Sequence, residues 1–454
     1  MVWHLRWSVA LAIALPSFCL AASSDDVILR KAIEAYQIRP LQILDRTLGP
    51  KERLGQALFF DPIVSGPKSI ACAACHVRSL GAGDALPMAI GLGAKGVSKE
   101  RLEAKQAFIV PRNAFPFFNR GSEAFRALFW DGRVQMGIDG KFESPLGDRL
   151  PQGFDNLLAV AAVFPPAEPD EMLGRSLKRS SLLTYHAELV SPAVNEDDFQ
   201  ARTLSVFDNL AKRLLAPQVS APDATVAQYR ELFAAAYPGI ALQNFRIHHV
   251  GNALSAYITA AFALSPAAWD RYVTGDNSAL STDQKRGALI FFGKGRCTVC
   301  HSGTEFSDFR FHGLAVPQLR VGKHASHVDY GRASATGRGE DRFAFRTPPL
   351  RNVTETAPYG HNGIFSSLRE IIEHHFNPVP ALYAAQQLSP EEAAHAGRLL
   401  GFRSSILAEM APLSTGDVEL LEKFLHSLAS PTVMPDAVAI PGTVPSGNKV
   451  FVRR

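Results

Sequence analysis

A mainly α-helical protein of two similar lobes joined by long loops is the fold this sequence predicts, and three observations lead to it. A Cys-X-X-Cys-His pattern occurs twice, each copy follows an apolar run at helical spacing, and alternating strand patterns are scarce. A chain of 454 residues is long enough for two domains, each burying its own core.

The repeated pattern reads Cys72-Ala-Ala-Cys75-His76 and Cys297-Thr-Val-Cys300-His301. It is the attachment signature of c-type haem. Two thiols three positions apart each add to one vinyl group of a haem, and the following His lies beneath the iron as proximal ligand. A zinc site would want further ligands at finger-like spacing, and a redox Cys pair would not need a His after it both times. The expected lobes are therefore two cytochrome-c-like haem domains with long connecting loops, each carrying one covalently bound haem c.

From the N-terminus, residues 1–22 combine Arg6, the apolar run Val9–Pro16 and small residues around Ala22, which reads as a secretory signal peptide. Cleavage there removes Cys19 and leaves four Cys, all assigned to haem, so no disulfide is expected. Gly55-Gln-Ala-Leu-Phe-Phe60 precedes the first haem motif and Gly287-Ala-Leu-Ile-Phe-Phe292 the second, which suggests an internal duplication. Ser281 and Gln284 form a capping box for the second of these helices. Phe245 to Leu264 reads as a long helix ending at Pro266, and Ser389-Pro-Glu-Glu392 opens another that runs to about Leu400. Ser414 to Leu428 closes the helical part before Pro431. The expected domains are 23–270 for the first haem, 271–431 for the second, and a Pro-, Val- and Gly-rich tail at 432–454 running over the surface.

Composition adds limits. Hydrophobic residues at 46%, charged residues at 20% and a net charge of +4 are ordinary for a soluble globular chain. No basic patch suggests nucleic acid, and no second apolar run suggests a membrane span.

Between and beyond the haem motifs stand Phe129-Trp-Asp-Gly-Arg133, Pro165 through Glu171-Met172, Arg346-Thr-Pro-Pro-Leu-Arg-Asn352 and Pro358-Tyr-Gly-His361-Asn-Gly363. Together these resemble the bacterial dihaem cytochrome c peroxidase and MauG family, over about Leu41 to Pro431. Residues 185–243 and 316–340 look like longer or divergent connections. The resemblance implies a peroxidatic N-terminal haem and a C-terminal haem that stores and relays electrons. It gives Glu171 the role of moving protons during O–O cleavage, work that suits a carboxylate, and makes Trp130 a stepping stone between the haems. It also implies one Ca²⁺ held near Asn113, Thr356 and Pro358, whose oxygens suit that hard ion.

Three departures from the family pattern matter. The peroxidases carry a distal His on the first haem, but no His occurs here between His76 and His186, and Met88 is the only obvious soft candidate. The first haem is therefore expected to have an open sixth position. The family places the sixth ligand of the second haem fourteen residues after the His of Pro-Tyr-X-His-X-Gly; counting from His361 reaches His375, with His374 the competitor. A bis-His haem lacks the potential-raising effect of Met. Lastly, Ala161 stands where the peroxidases have a Gln, and Gly295 where MauG has a Trp.

The expected activity is a periplasmic oxidoreductase that reduces H2O2 with electrons from a small c-type cytochrome or a cupredoxin. The alternatives are MauG-like oxidation of a partner protein, or a dihaem electron carrier or sensor without catalysis. The oligomeric state stays open, a homodimer included.

Overall fold

The computed structural model describes residues 23–104, 107–175, 188–318, 328–384, 388–430 and 435–450. Residues 1–22, expected from the sequence to be a signal peptide, lie outside the described residues, as do His186, His324, His327 and Met434. The elements are helices and short 3₁₀ turns, with one three-stranded antiparallel sheet (Ala127–Leu128, Val134–Met136, Phe142–Glu143) and one two-stranded pair (Phe311–Gly313 with Ala344–Arg346). No helix among the described residues is long and apolar enough to cross a membrane.

Two large hydrophobic cores form the lobes. In the first, helix Pro50–Phe60 packs against Ile247–Ala261; in the second, Thr282–Phe292 packs against Thr415–His426. The two crossings repeat in detail. A Cβ at Gly55 would fall 1.8 Å from the Ala253 carbonyl oxygen and 2.8 Å from Tyr257 Cβ. A Cβ at Gly287 would fall 2.0 Å from the Leu420 carbonyl oxygen and 2.9 Å from Phe424 Cβ. Each glycine lets one helix backbone touch the next, and each opposing pair is spaced by four residues, one helical turn. The duplication expected from two short motifs thus extends to the helix that each motif-bearing helix packs on.

Several boundaries differ from expectation. The helix expected over Phe245 to Leu264 is Ile247–Ala261. The chain leaves it early so that the Phe262 ring meets Phe117 and its carbonyl accepts from the Asn119 N–H. The expected domain boundary at 270/271 falls inside helix Ala268–Val273, whose Trp269 and Tyr272 sit in the second core. Leu29 and Ile33 of helix Ser24–Ala35, and Ile38 beyond it, join that same core, so the start of the described chain belongs to the C-terminal lobe. Asp270, buried, accepts from the Leu41 and Ala267 N–H groups and pairs twice with Arg351 at 3.0 Å, which fixes this arrangement.

The tail also departs from a surface course. Val444 is buried in the first core, Tyr257 donates to the Ala439 carbonyl, and Ser446 donates twice to the buried Asp61. The hydroxyl of Tyr229 donates to the same carboxylate. Ser446 thus adds two bonds to a buried carboxylate that Tyr229 and the Ile63 N–H already serve, and these bonds hold the tail against the first core. Residues 199–236, within a stretch read as a divergent connection, form helices Phe199–Leu215 and Ala224–Ala236, whose Phe207, Leu214, Tyr229 and Phe233 complete the same core.

Candidate active site: two haem pockets

Each Cys-X-X-Cys-His motif folds as one 3₁₀ turn, Cys72–Ala74 and Cys297–Val299, closed by the His N–H donating to the first Cys carbonyl at 3.0 and 2.8 Å. At the second motif the turn presents Cys297, Cys300 and His301 to one cavity. His76 Nδ1 donates to the Ala82 carbonyl at 3.3 Å, and His301 Nδ1 to the Phe306 carbonyl at 3.0 Å. Both acceptors sit on residues in the left-handed region, φ 59° and 54°. With Nδ1 so engaged, Nε2 is left bare as a metal ligand. Burial pushes both imidazoles down to about 4, which keeps them in the neutral, ligating form. No cysteine of the described residues is in a disulfide.

The C-terminal motif opens onto a cavity of about 220 Å³ whose walls include Cys297, Cys300, His301 and His375. The His301 and His375 ring centres are 6.5 Å apart. That separation suits one iron held by an imidazole nitrogen on each side at about 2 Å per bond. His375 Nδ1 donates to the Ile371 carbonyl at 2.6 Å, again leaving Nε2 bare. His374 instead turns its Nε2 to the Leu314 carbonyl at 3.0 Å and is absent from the cavity wall.

Two further cavity residues have no role assigned from the sequence, although Arg346 heads one of its motifs. Arg120 and Arg346 are buried, and each has one guanidinium nitrogen without a hydrogen-bond partner, Nη1 and Nη2 respectively. Burial and mutual repulsion push the Arg120 guanidinium well down, and burial lowers that of Arg346 to about 10. Cations left unpaired in an apolar wall call for anions in the cavity. The carboxylate tails of a haem supply that charge, so the donors, the facing histidines and the thiols all fit the group. His312 on the same wall pairs with Asp308 at 3.0 Å.

Trp130 and the three residues expected near calcium, Asn113, Thr356 and Pro358, line this same cavity. The indole N–H donates to the Asn113 carbonyl at 2.9 Å. Phe129 takes a left-handed conformation (φ 61°) at the end of a short strand. This leaves Phe129 in the first core while Trp130 faces the second pocket. Arg346 grips both, donating to the Phe129 carbonyl through Nε and to the Trp130 carbonyl through its backbone N–H. Phe115 also lines the cavity and lies 5.8 Å, centre to centre, from the His76 ring. An aromatic contact therefore joins the His76 ring to the wall of the second pocket.

Around the first motif, the ring neighbours of His76 are Phe117, stacked at 3.6 Å, and Phe115. Met88 is buried in a segment tied down by the Asn113 amide donating to the Leu86 carbonyl. Glu171 lies in a π-turn, Pro169–Leu173, a distortion common at functional sites. Two glycines make room for it: a Cβ at Gly66 would fall 1.7 Å from the Leu173 carbonyl, and one at Gly91 2.0 Å from that of Asp170. Burial first, and the neighbouring Glu168 second, push the Glu171 carboxyl up to about 7, with Arg133 opposing them. Its negative charge in turn acts on both Cys72 and Cys75. A carboxyl that exchanges its proton near neutrality beside the first haem seat is equipped for acid–base work.

Residues 50–278 match the family described as di-haem cytochrome c peroxidase. The chain is 28% identical to the methylamine utilization protein MauG of Methylorubrum extorquens, over 80% of each chain. It is 24% identical to the cytochrome c551 peroxidase of Pseudomonas aeruginosa, covering 91% of this chain and 90% of that one. In fold it is similar to a MauG-like protein associated with microbial copper homeostasis, with a TM-score of 0.57 at 21% identity, over 87% of this chain and 94% of that one. Taken with the two histidine-backed thiol turns and the anion-seeking cavity, these likenesses establish that the chain belongs to the di-haem cytochrome c peroxidase family, oxidoreductases that carry two haem c groups.

Proposed function

We propose that the protein reduces H2O2 to water in the periplasm, with electrons from a small c-type cytochrome or a cupredoxin. The observation that carries this reading is the asymmetry between the two haem seats. At the second, His375 faces His301 across the cavity; at the first, the rings beside His76 are phenylalanines and the titratable neighbour is Glu171. A haem saturated by two histidines passes electrons, while one with a free position offers its iron to a small oxidant; that is the chemistry the groups supply when bound. Glu171 would take the proton from the near oxygen of peroxide at its carboxylate and return it to the far oxygen, which departs as water. Trp130, held by the Asn113 carbonyl and gripped by Arg346, would carry charge between the lobes. The Asn113 amide oxygen with the Thr356 and Pro358 carbonyls would hold a Ca²⁺ beside that tryptophan.

A second reading, oxidation of a partner protein as MauG is named for, is supported by the 28% identity to that relative. One position speaks against the same partner protein. Where MauG has a Trp, Gly295 here is hemmed in: a Cβ would lie 2.8 Å from the Ile290 carbonyl and 3.3 Å from Cys297 Sγ. The test is stopped-flow mixing of the diferric protein with H2O2, with and without a reduced donor. Peroxide-dependent oxidation of the donor over many turnovers supports the first reading. Oxidising equivalents that persist for minutes and leave donors untouched would overturn it in favour of the second.

A further inference from the structure

Reduction of one H2O2 to two waters consumes two electrons and two protons. The shuttle through Glu171 moves one proton from the near to the far oxygen and returns the carboxylate to its starting state, so it supplies no net proton. Both net protons must reach the half-buried Glu171 from solvent, and the electrons must come from the reduced donor.

The surroundings of Glu171 narrow the choice of entry group. Asp170 is locked to Arg175 by parallel bonds of 2.8 and 2.9 Å. Asp131 is buried against Arg112 and Arg133. Arg133 donates to the Asp131 carboxylate at 3.4 Å. Glu168 differs from all of these. It is half-buried, it stands at the head of the π-turn, and its carboxylate makes no hydrogen bond or ion pair among the described residues. Its backbone is nonetheless fixed: the Glu168 carbonyl accepts from the Met172 and Leu173 N–H groups at 3.0 and 2.9 Å, so the two acids ride on one rigid turn. Arg202, on the helix behind, feels Glu168 as its strongest charged neighbour, but donates its own N–H groups to the carbonyls of Ala167 and Glu196.

We propose that Glu168 is the proton-entry residue of the peroxide site, taking protons from solvent at its exposed edge and passing them to the Glu171 carboxylate. The proposal rests on the reading of Glu171 as the acid–base group. Because the charge of Glu168 also holds the Glu171 proton on, the residue sets the pH at which Glu171 becomes a base. The charged groups acting on Glu171 are Glu168 and Arg133, and Arg202 faces Glu168 from the neighbouring helix.

The test uses the full dihaem protein and the variants Glu168→Gln, Glu168→Asp and Glu171→Gln, with haem content checked by pyridine haemochrome. Glu168→Gln is expected to slow steady-state turnover about 10-fold, less than loss of the direct acid–base group. It should also raise the solvent isotope effect and move the rising limb of the peroxide pH profile about half a unit toward acid. Glu168→Asp should recover most of the rate. If Glu168→Gln keeps wild-type turnover and pH profile while Glu171→Gln is slow, the entry role is overturned and that of Glu171 stands. If both Gln variants behave as wild type, the reading of Glu171 fails with it. Equal slowing by Gln and Asp at an unmoved pH profile would assign Glu168 a structural role and overturn the proposal.

Discussion

The imidazole rings of His301 and His375 face each other across the C-terminal cavity with centres 6.5 Å apart, while the adjacent His374 points away to the Leu314 carbonyl. The oxidised protein should therefore give one low-spin bis-His signal and one high-spin signal by electron paramagnetic resonance. His375→Ala should convert the low-spin signal, and His374→Ala should leave it. Reversed effects would make His374 the ligand.

Glu171→Gln keeps the size of the side chain but removes the base. The reaction with H2O2 should slow at least about 100-fold, or about 3 kcal/mol of barrier, with both haems retained. In the wild type the Glu171 carboxyl is raised from 4.5 to about 7. The reactive carboxylate accumulates only as pH rises through that value, so the peroxide rate should climb from about pH 6 to about pH 8 and then flatten. For stability the sign is opposite: the folded state holds this proton longer than the unfolded one, so the group's contribution is lost as pH rises from 4.5 to about 7. A flat peroxide rate across this range, measured by stopped flow, would place the acid–base work elsewhere.

Trp130→Phe should separate two steps that Glu171→Gln merges. It removes the indole bond to Asn113 but leaves the first site intact. Peroxide should still react at close to the wild-type rate, whereas electron withdrawal from the second haem and turnover with donor should slow. Single-turnover and steady-state traces from the same preparation distinguish the two.

Removing calcium with a chelator should lower turnover, and Ca²⁺ should restore it better than Mg²⁺. The proposed set of the Asn113 amide and the Thr356 and Pro358 carbonyls would suit the flexible coordination of Ca²⁺ better than the octahedral geometry that Mg²⁺ demands. Equilibrium dialysis on the Asn113→Ala variant checks the assignment, with loss of bound Ca²⁺ expected.

Gly55→Ala and Gly287→Ala should each destabilise the fold by about 1–3 kcal/mol or more, because the new methyl group meets a backbone carbonyl that cannot move aside alone. Each variant should weaken the lobe it belongs to, read as a lower melting temperature by calorimetry and a separate loss of one haem.

Much of this site was legible in the chain because covalent haem attachment imposes a fixed spacing on Cys, Cys and His. The count from His361 to His375 could be made for a related reason: a residue on a helix lies a set number of positions beyond a rigid motif, and His375 stands across the cavity from His301. The duplicated Gly-to-Phe-Phe runs were visible, but the reason for the glycines was not, since Ala253 and Leu420 meet them from distant parts of the chain. Arg120 and Arg346 were passed over because a missing counter-charge shows only once the surrounding wall is built. The tail misled for a similar reason. Its Pro- and Gly-rich composition reads as surface, and nothing local to it reveals that Asp61 waits for Ser446.

The first core takes Val444 from the tail, and the second takes Leu29 and Ile33 from the helix at the other end. Dissecting the protein at the junction between Phe262 and Trp269 would thus yield no self-sufficient cytochrome. The front fragment would keep a helix with no core to join and leave Asp61 without Ser446. The rear fragment would strand the tail and leave Tyr272 without Asp26 and Arg30. The pair behaves as a laced unit in which damage to either terminus is felt in the opposite half.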